Sequence, residues 1–321
     1  MALLQDARDH VDRAFTARDA KGLDMENAFG GAASIFRRRY AKDLAGFDLA
    51  VTGVPFDQAV THRPGARFGP RAIREASALQ VFDPPWGWDG FSPLEDLAIA
   101  DHGDVGFDYA KVADFPEALR AHVRGILSQG AGCIAMGGDH SVSLPILEAH
   151  AEVHGPMALV QFDAHSDTWP DEDGSRIDHG TMFGKGIRAG VIDADRSIQV
   201  GIRTVNDDPM GVETVSAMDV HRDGVEAVAA RIRDRVGDRP AYVTFDIDCL
   251  DPAFAPGTGT PVWGGLASWQ AQALLRAIAG IDVVGGDVVE VSPPYDATGA
   301  TAIAGAHVVM ELICLWGWTR R

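Results

Sequence analysis

Three stretches of this chain end in residue types that bind cations. In Gln161 to Trp169, QFDAHSDTW, the apolar run Met157 to Val160 is followed by Asp163, His165 and Asp167. Spaced two apart in an extended chain, these side chains project to one side. Two carboxylates and an imidazole converging there repel one another and lose solvation unless a divalent cation neutralises them. Val243 to Leu250, VTFDIDCL, repeats the pattern with Asp246 and Asp248, and Ile134 to Ser141, IAMGGDHS, breaks at Gly137 and Gly138 before Asp139 and His140. A single motif of this kind reads equally well as a solvated strand end. Three together point to strand ends gathered at one edge of a sheet, where α/β proteins build their sites.

The elements that must carry these ends alternate along the chain. Buried-type strands are expected near residues 49, 97, 133, 158, 198, 242 and 283. Pro70 opens a helix over Arg71 to Leu79. Asp114 caps another, with Glu117 completing a box-like pattern and Phe115, Leu119, Val123, Ile126 and Leu127 on its apolar face until Gly130. Further helices are expected over Gly224 to Gly237 and Ser268 to Gly280. The alternation predicts a single-domain, three-layer α/β/α fold with a mostly parallel sheet. Residues 1–45 are charged and mixed, with a weak helical signal over Ala2 to Ala17, and read as an N-terminal arm that frays or lies on a neighbouring subunit.

The 321 residues, 46% of them apolar, suffice for one large core. Lys plus Arg number 28 against 46 Asp plus Glu, a formal charge of −18. Such a surface repels nucleic acid and anionic membranes, so neither is an expected partner, and it attracts cations. Cys133, Cys249 and Cys314 stand in apolar contexts and read as reduced core thiols, Cys249 pointing away from the Asp246–Asp248 pair. No run reaches the roughly 18 consecutive apolar residues of a membrane helix, and MALLQDARDHVDR lacks a basic leader followed by an apolar core; a cytoplasmic location is expected.

Taken in order, RPGARFGPRAIRE, GGDHS, FDAHSD, DHGTMF, FDIDCLDPAFAPGTGTP and GGDVVEVSPPYD resemble the ureohydrolase family of arginases, agmatinases and guanidino-acid hydrolases. The match runs from about Val51 to the C-terminus, and FAPGTGTP sits nearer the agmatinase branch. The resemblance implies an arginase-like fold, with 46–321 as the ureohydrolase catalytic domain, and a homo-oligomer, trimer or hexamer, or a hetero-oligomer with a paralogous subunit. It implies two divalent ions per chain: His140, Asp163, Asp167 and Asp246 around one, His165, Asp163, Asp246 and Asp248 around the other, with Asp163 and Asp246 bridging. A metal pair lowers the pKa of water from 15.7 toward about 7, which suits attack on a resonance-stabilised guanidinium. Manganese is the usual family metal, and two imidazoles also suit nickel, zinc or cobalt.

By the same resemblance His179 shuttles protons to the leaving nitrogen, and Glu290 holds the cationic guanidino substrate by paired hydrogen bonds. Asp139 reads as support for His140, or as a cap with Ser141. Thr61 and His62 lie in a loop that faces a substrate, whereas Arg63 and Arg67 equally well tie that loop to the core. The chain departs from the pattern at PVWGG, Pro261 to Gly265, where many agmatinase-like relatives carry Glu in place of Val262. Trp263 there is a candidate substrate-binding residue that closes the pocket over a small guanidine. The expected reaction is agmatine to putrescine and urea. The alternative is a hydrolase of guanidine, methylguanidines, biguanide-type compounds such as metformin, or guanidino acids. The acidic segment Asp171 to Asp173, after Trp169, keeps agmatine open as the substrate. A non-catalytic subunit fits less well with a complete ligand set, and a two-metal phosphoesterase lacks its Asn-His signatures.

Overall fold

The computed structural model describes residues 27–81, 88–171 and 173–321. Among the described residues nine strands form one sheet, every pair parallel: β1 (Arg39–Tyr40), β2 (Leu49–Gly53), β3 (Ile99–Asp104), β4 (Gly132–Met136), β5 (Ala158–Phe162), β6 (Ile198–Ile202), β7 (Glu213–Ser216), β8 (Ala241–Asp246) and β9 (Val283–Val289). Their order across the sheet is β1-β3-β2-β4-β9-β8-β5-β6-β7.

The period-two alternation of the strands divides the core into two apolar layers. Val51, Ile134, Phe162 and Phe245 face the helices Gly69–Ser77, Val225–Val236, Ser268–Ala277 and Ala300–Trp318. Ala50, Ala135, Leu159 and Tyr242 face Phe115–Leu127, Ser143–His154 and Met182–Arg188. A parallel sheet with both faces covered has interior strands that are apolar throughout, which is why they read as continuous runs. The three-layer α/β/α expectation holds, and all strand carboxyl ends reach the same edge.

Several local expectations need correction. Asp114 makes no side-chain cap, so the box with Glu117 does not form. The second half of the expected arm belongs to the domain: Ile35, Phe36 and Leu44 are buried, and Arg39–Tyr40 pairs with β3. Its two residues were too few to read as a strand, and β7 likewise gave no signal; the weak helix over Ala2 to Ala17 lies outside the described residues. So does most of Phe82 to Trp88, although Trp88 itself is buried and its indole N–H donates to Glu311 (2.8 Å). Glu311 lies in Ala300–Trp318, whose length and mean hydropathy of 1.5 would suit a membrane span. His307 and Glu311 interrupt its apolar run and hid it from a count of consecutive residues. Here 78% of its apolar window is buried inside the protein, and Arg276 pairs with Glu311 at 2.7 Å.

Candidate active site

The repeated motif is a repeated turn. Asp139 Oδ1 accepts from the Ser141 N–H (3.1 Å), Asp163 Oδ1 from His165 N–H (2.7 Å) and Asp246 Oδ1 from Asp248 N–H (2.7 Å). In each case an aspartate at a strand end bends the chain by bonding its own backbone two residues on. The extended geometry expected for Asp163, His165 and Asp167 is therefore corrected: β5 stops at Phe162, Asp167 has φ +52°, and Ile247–Cys249 is a 3-10 turn. Gly138 lets the third turn close, since a Cβ there would lie 1.6 Å from the Phe56 carbonyl oxygen, which accepts the Asp139 N–H.

These turns bring the six candidate ligands together. His140 Nδ1 lies 3.1 Å from Asp163 Oδ2, 2.9 Å from Asp167 Oδ2 and 3.3 Å from Asp246 Oδ2. His165 Nδ1 lies 3.5 Å from Asp163 Oδ1 and 3.1 Å from Asp248 Oδ2. Asp163 thus turns one oxygen toward each imidazole. Burial favours its neutral form, yet the two imidazoles hold it below the usual carboxylate range. Burial, then the charge of Asp163, raises Asp167 to about 6; against burial, Asp248 and Asp163 push His165 up to about 12.

The outer partners of His140 decide what its inner nitrogen offers. Asp287 is fully buried and accepts from Ser143 Oγ (2.7 Å), Tyr242 OH (2.8 Å) and Thr244 Oγ1 (2.5 Å). With its proton committed to Asp287, Thr244 Oγ1 can only accept from His140 Nε2 (2.9 Å). The proton of the neutral ring is therefore on Nε2, and the Nδ1 lone pair faces three carboxylate oxygens while hydrogen-bonding none of them. Against burial, Asp163, Asp167 and Asp246 push the His140 pKa well above its usual value, so the cluster calls for positive charge at this nitrogen, a proton in the bare site or a divalent cation in its place. The donor set, nitrogen plus carboxylate oxygen, fits a divalent metal.

Glu290, just past β9, is a further buried carboxylate. Its Oε1 accepts from His140 N–H (2.9 Å) and His179 Nδ1 (3.0 Å), while Oε2 has no hydrogen-bond partner. The residue is held at φ +62°, a strained conformation of the kind that clusters at functional sites. A Cβ at Gly259 would approach Oε2 to 3.3 Å, so the glycine keeps that oxygen open. His179 Nε2 lies 3.0 Å from Thr61 Oγ1 and 3.3 Å from Thr61 N, so the hydroxyl oxygen can accept from the protonated ring and the amide can donate to the neutral one. Burial lowers the His179 pKa, but the hydrogen bond and charge of Glu290 outweigh it and raise it to about 9.

Among the described residues the remaining candidates make no side-chain hydrogen bond or ion pair to this cluster. His62 is exposed and makes no hydrogen bond among the described residues. Trp263 is 88% exposed, on a turn whose Gly264 has φ +86°. Asp171 pairs with Lys185 of the helix Met182–Arg188 at 2.9 Å, and Asp173 bonds Ser175 in its own loop, so both acids already have partners. Asp139 both caps Ser141 and accepts from Ala59 N–H (2.8 Å). Arg67 pairs with Asp57, and Arg63 stacks over Tyr295, which ties the loop to the core.

Sequence reasoning missed Gln161, Thr244 and Asp287. Gln161 Nε2 donates to Asp163 Oδ2 (2.8 Å), and Gln199 Nε2 donates to Gln161 Oε1 (2.8 Å). The available signal was polarity inside otherwise apolar strands, with Gln161 and Thr244 each two residues before a ligand aspartate.

Known proteins share this arrangement of chain. The family model described as arginase family matches residues 47–314. An agmatinase of Chromobacterium violaceum is 49% identical over 97% of each chain, and one of Neisseria meningitidis serogroup A is 48% identical over 84% of this chain and 87% of its own. A crystal structure of a hypothetical agmatinase from Burkholderia thailandensis superposes with a TM-score of 0.94 at 48% identity, over 97% of this chain and 99% of that one. The proclavaminate amidino hydrolase of Streptomyces clavuligerus gives 0.85 at 40% identity, over 91% and 99%.

Proposed function

Because the chain belongs to the arginase family, we propose that His140, Asp163, Asp167, Asp246, His165 and Asp248 hold two divalent ions, with Glu290 and His179 completing the active site. The reaction is hydrolysis of a guanidino C–N bond, agmatine giving putrescine and urea. The observation that carries the site assignment is the buried, unbonded Nδ1 of His140 among three carboxylates.

When bound, the ion pair supplies a water acidic enough to ionise near neutral pH. The chain's own residues do the rest. Glu290 Oε2, buried and open, accepts from the planar guanidinium and sets its carbon toward the cluster. Water adds to that carbon, the bond to the butyl-bearing nitrogen breaks, and this nitrogen takes a proton from His179; the protons released from the added water as urea forms restore His179 and complete the ammonium group. The raised pKa keeps His179 charged at neutral pH, ready to donate. A substrate cation beside Glu290 competes for the same negative charge, which brings His179 back toward neutrality when the proton must leave. Thr61 offers its Nε2 a partner in either state.

Relatives at 45–49% identity are agmatinases, and the small-guanidine reading that rested on Trp263 is not favoured. Trp263 is 88% exposed, which gives no support to an indole packed over the substrate. Manganese is the metal we propose, since carboxylates outnumber imidazoles. We also propose a homo-oligomer in the cytoplasm; exposed Trp269, Phe254 and Ile303 supply an apolar surface for a subunit contact. The test is urea release from agmatine, arginine, 4-guanidinobutyrate and methylguanidine by manganese-reconstituted protein. Agmatine should give the highest kcat/KM, and equal or greater turnover of methylguanidine would reverse the substrate assignment.

A further inference from the structure

Arg203 is bonded in a way that the chemistry above does not use. It follows β6 by one residue, and its guanidinium donates to five backbone carbonyls: Nε to Val262 (3.1 Å), Nη1 to Gly201 (3.0 Å) and Cys249 (3.3 Å), and Nη2 to Asp248, Leu250 (3.4 Å) and Val262 (2.9 Å). Among the described residues it forms no ion pair with a carboxylate. Three of those carbonyls belong to the turn that presents Asp248, and one to the loop that presents Trp263.

A guanidinium is planar, with its donors in a fixed fork, so groups bonded around it are fixed relative to one another. Space reinforces the contact: a Cβ at Gly265 would lie 2.7 Å from Arg203 Nη2. With the carbonyls of residues 248–250 turned toward Arg203, the Asp248 side chain is directed the other way. Its Oδ1 accepts from Ala164 N–H (3.1 Å), and its Oδ2 lies 3.1 Å from His165 Nδ1. Among the described residues His140 and Asp167 make no hydrogen bond to this guanidinium.

We propose that Arg203 is a positioning residue for one half of the centre: it sets Asp248 against His165 and locks that half to the rim loop at Val262. The inference rests on the two-ion reading above. Ligands held by such outer contacts typically lose 10- to 100-fold in metal affinity when the contact is removed.

The test is competitive manganese titration of the full-length protein against a chromophoric chelator. In Arg203→Met one ion should bind as in wild type and the second about 10- to 100-fold more weakly, with Arg203→Lys between the two and available if the methionine variant does not fold. Arg235→Met is the control, because Arg235 also bonds three carbonyls, Ser197 (3.1 Å), Ala194 (3.0 Å) and Gly211 (2.7 Å), away from the ligands. It should lower the melting temperature and leave both ions in place. Equal binding of both ions in the Arg203 variants and wild type, or equal weakening of both, overturns the proposal. A wild type that binds only one ion overturns the two-ion reading, and this inference with it.

Discussion

Replacing Glu290 by glutamine separates charge from shape. The amide keeps an oxygen to accept the His140 N–H, but the negative charge beside His179 is gone. In the wild type His179 rises from 6.5 to about 9, burial opposing and the Glu290 hydrogen bond and charge prevailing. With the Glu290 charge removed, only the more distant charges of Asp167 and Asp139 oppose burial, so the His179 pKa in Glu290→Gln should fall well below about 9. The rise in wild type is worth roughly 3 kcal/mol at 1.36 kcal/mol per pH unit. A histidine whose folded pKa is raised stabilises the fold in full below its unfolded value and loses that contribution as pH rises through the folded one. Chelator-treated wild type should therefore lose more stability than Glu290→Gln between pH 6 and 9.5, by up to about 3 kcal/mol, read by urea unfolding. Ring NMR of His179, assigned with His179→Asn, reports the same shift directly. Parallel stability curves and an unchanged His179 titration would refute the pairing. Reconstituted Glu290→Gln should retain both ions and lose urea release.

Other substitutions probe the rest of the site. Asp163→Asn should abolish binding of both ions by elemental analysis, since one oxygen faces each imidazole; retention of one full-affinity ion would remove its bridging role. Thr244→Val leaves the His140 Nε2–H and Asp287 short of a partner, and should cost roughly 3 kcal/mol of stability with a measurable loss of manganese affinity. Thr244→Ser should restore both, and a valine variant with native affinity would show the tautomer lock to be dispensable. Trp263→Ala should keep agmatine kcat/KM within about threefold and leave the melting temperature unchanged, as expected of an exposed side chain; a large swing in preference across the guanidine panel would return Trp263 to the pocket.

The interior strands were legible because a doubly covered parallel sheet writes them as apolar runs, and the ligand aspartates were legible because each ends one. The turn geometry was not: D-x-H-x-D is as compatible with a strand as with the turn that Asp163 makes on His165 N–H. β1 escaped because two residues carry no period, and the Asp114 cap because a suitable residue type does not fix its rotamer. The Thr244–Asp287 and Gln161–Gln199 supports depend on which strands become neighbours, information that resides in the packing. Trp263 followed the GTGTP turn in sequence, but proximity along the chain did not carry its indole inward.

β9 is the last strand in chain order and lies at the centre of the sheet, between β4 and β8. That order has a consequence for biosynthesis. Until residues 283–289 have been translated, the block ending in β4 and the block beginning at β8 have no strand joining them, and each carries an open, apolar edge. His140 sits on one block and Asp163 and Asp246 on the other, so the ion cluster cannot assemble either. A chain stopped before Val283 should be recovered in the insoluble fraction and bind no manganese. From the completion of β8 at Asp246 until β9 is made, this polypeptide has two adhesive edges to keep away from its neighbours before one late strand closes them both.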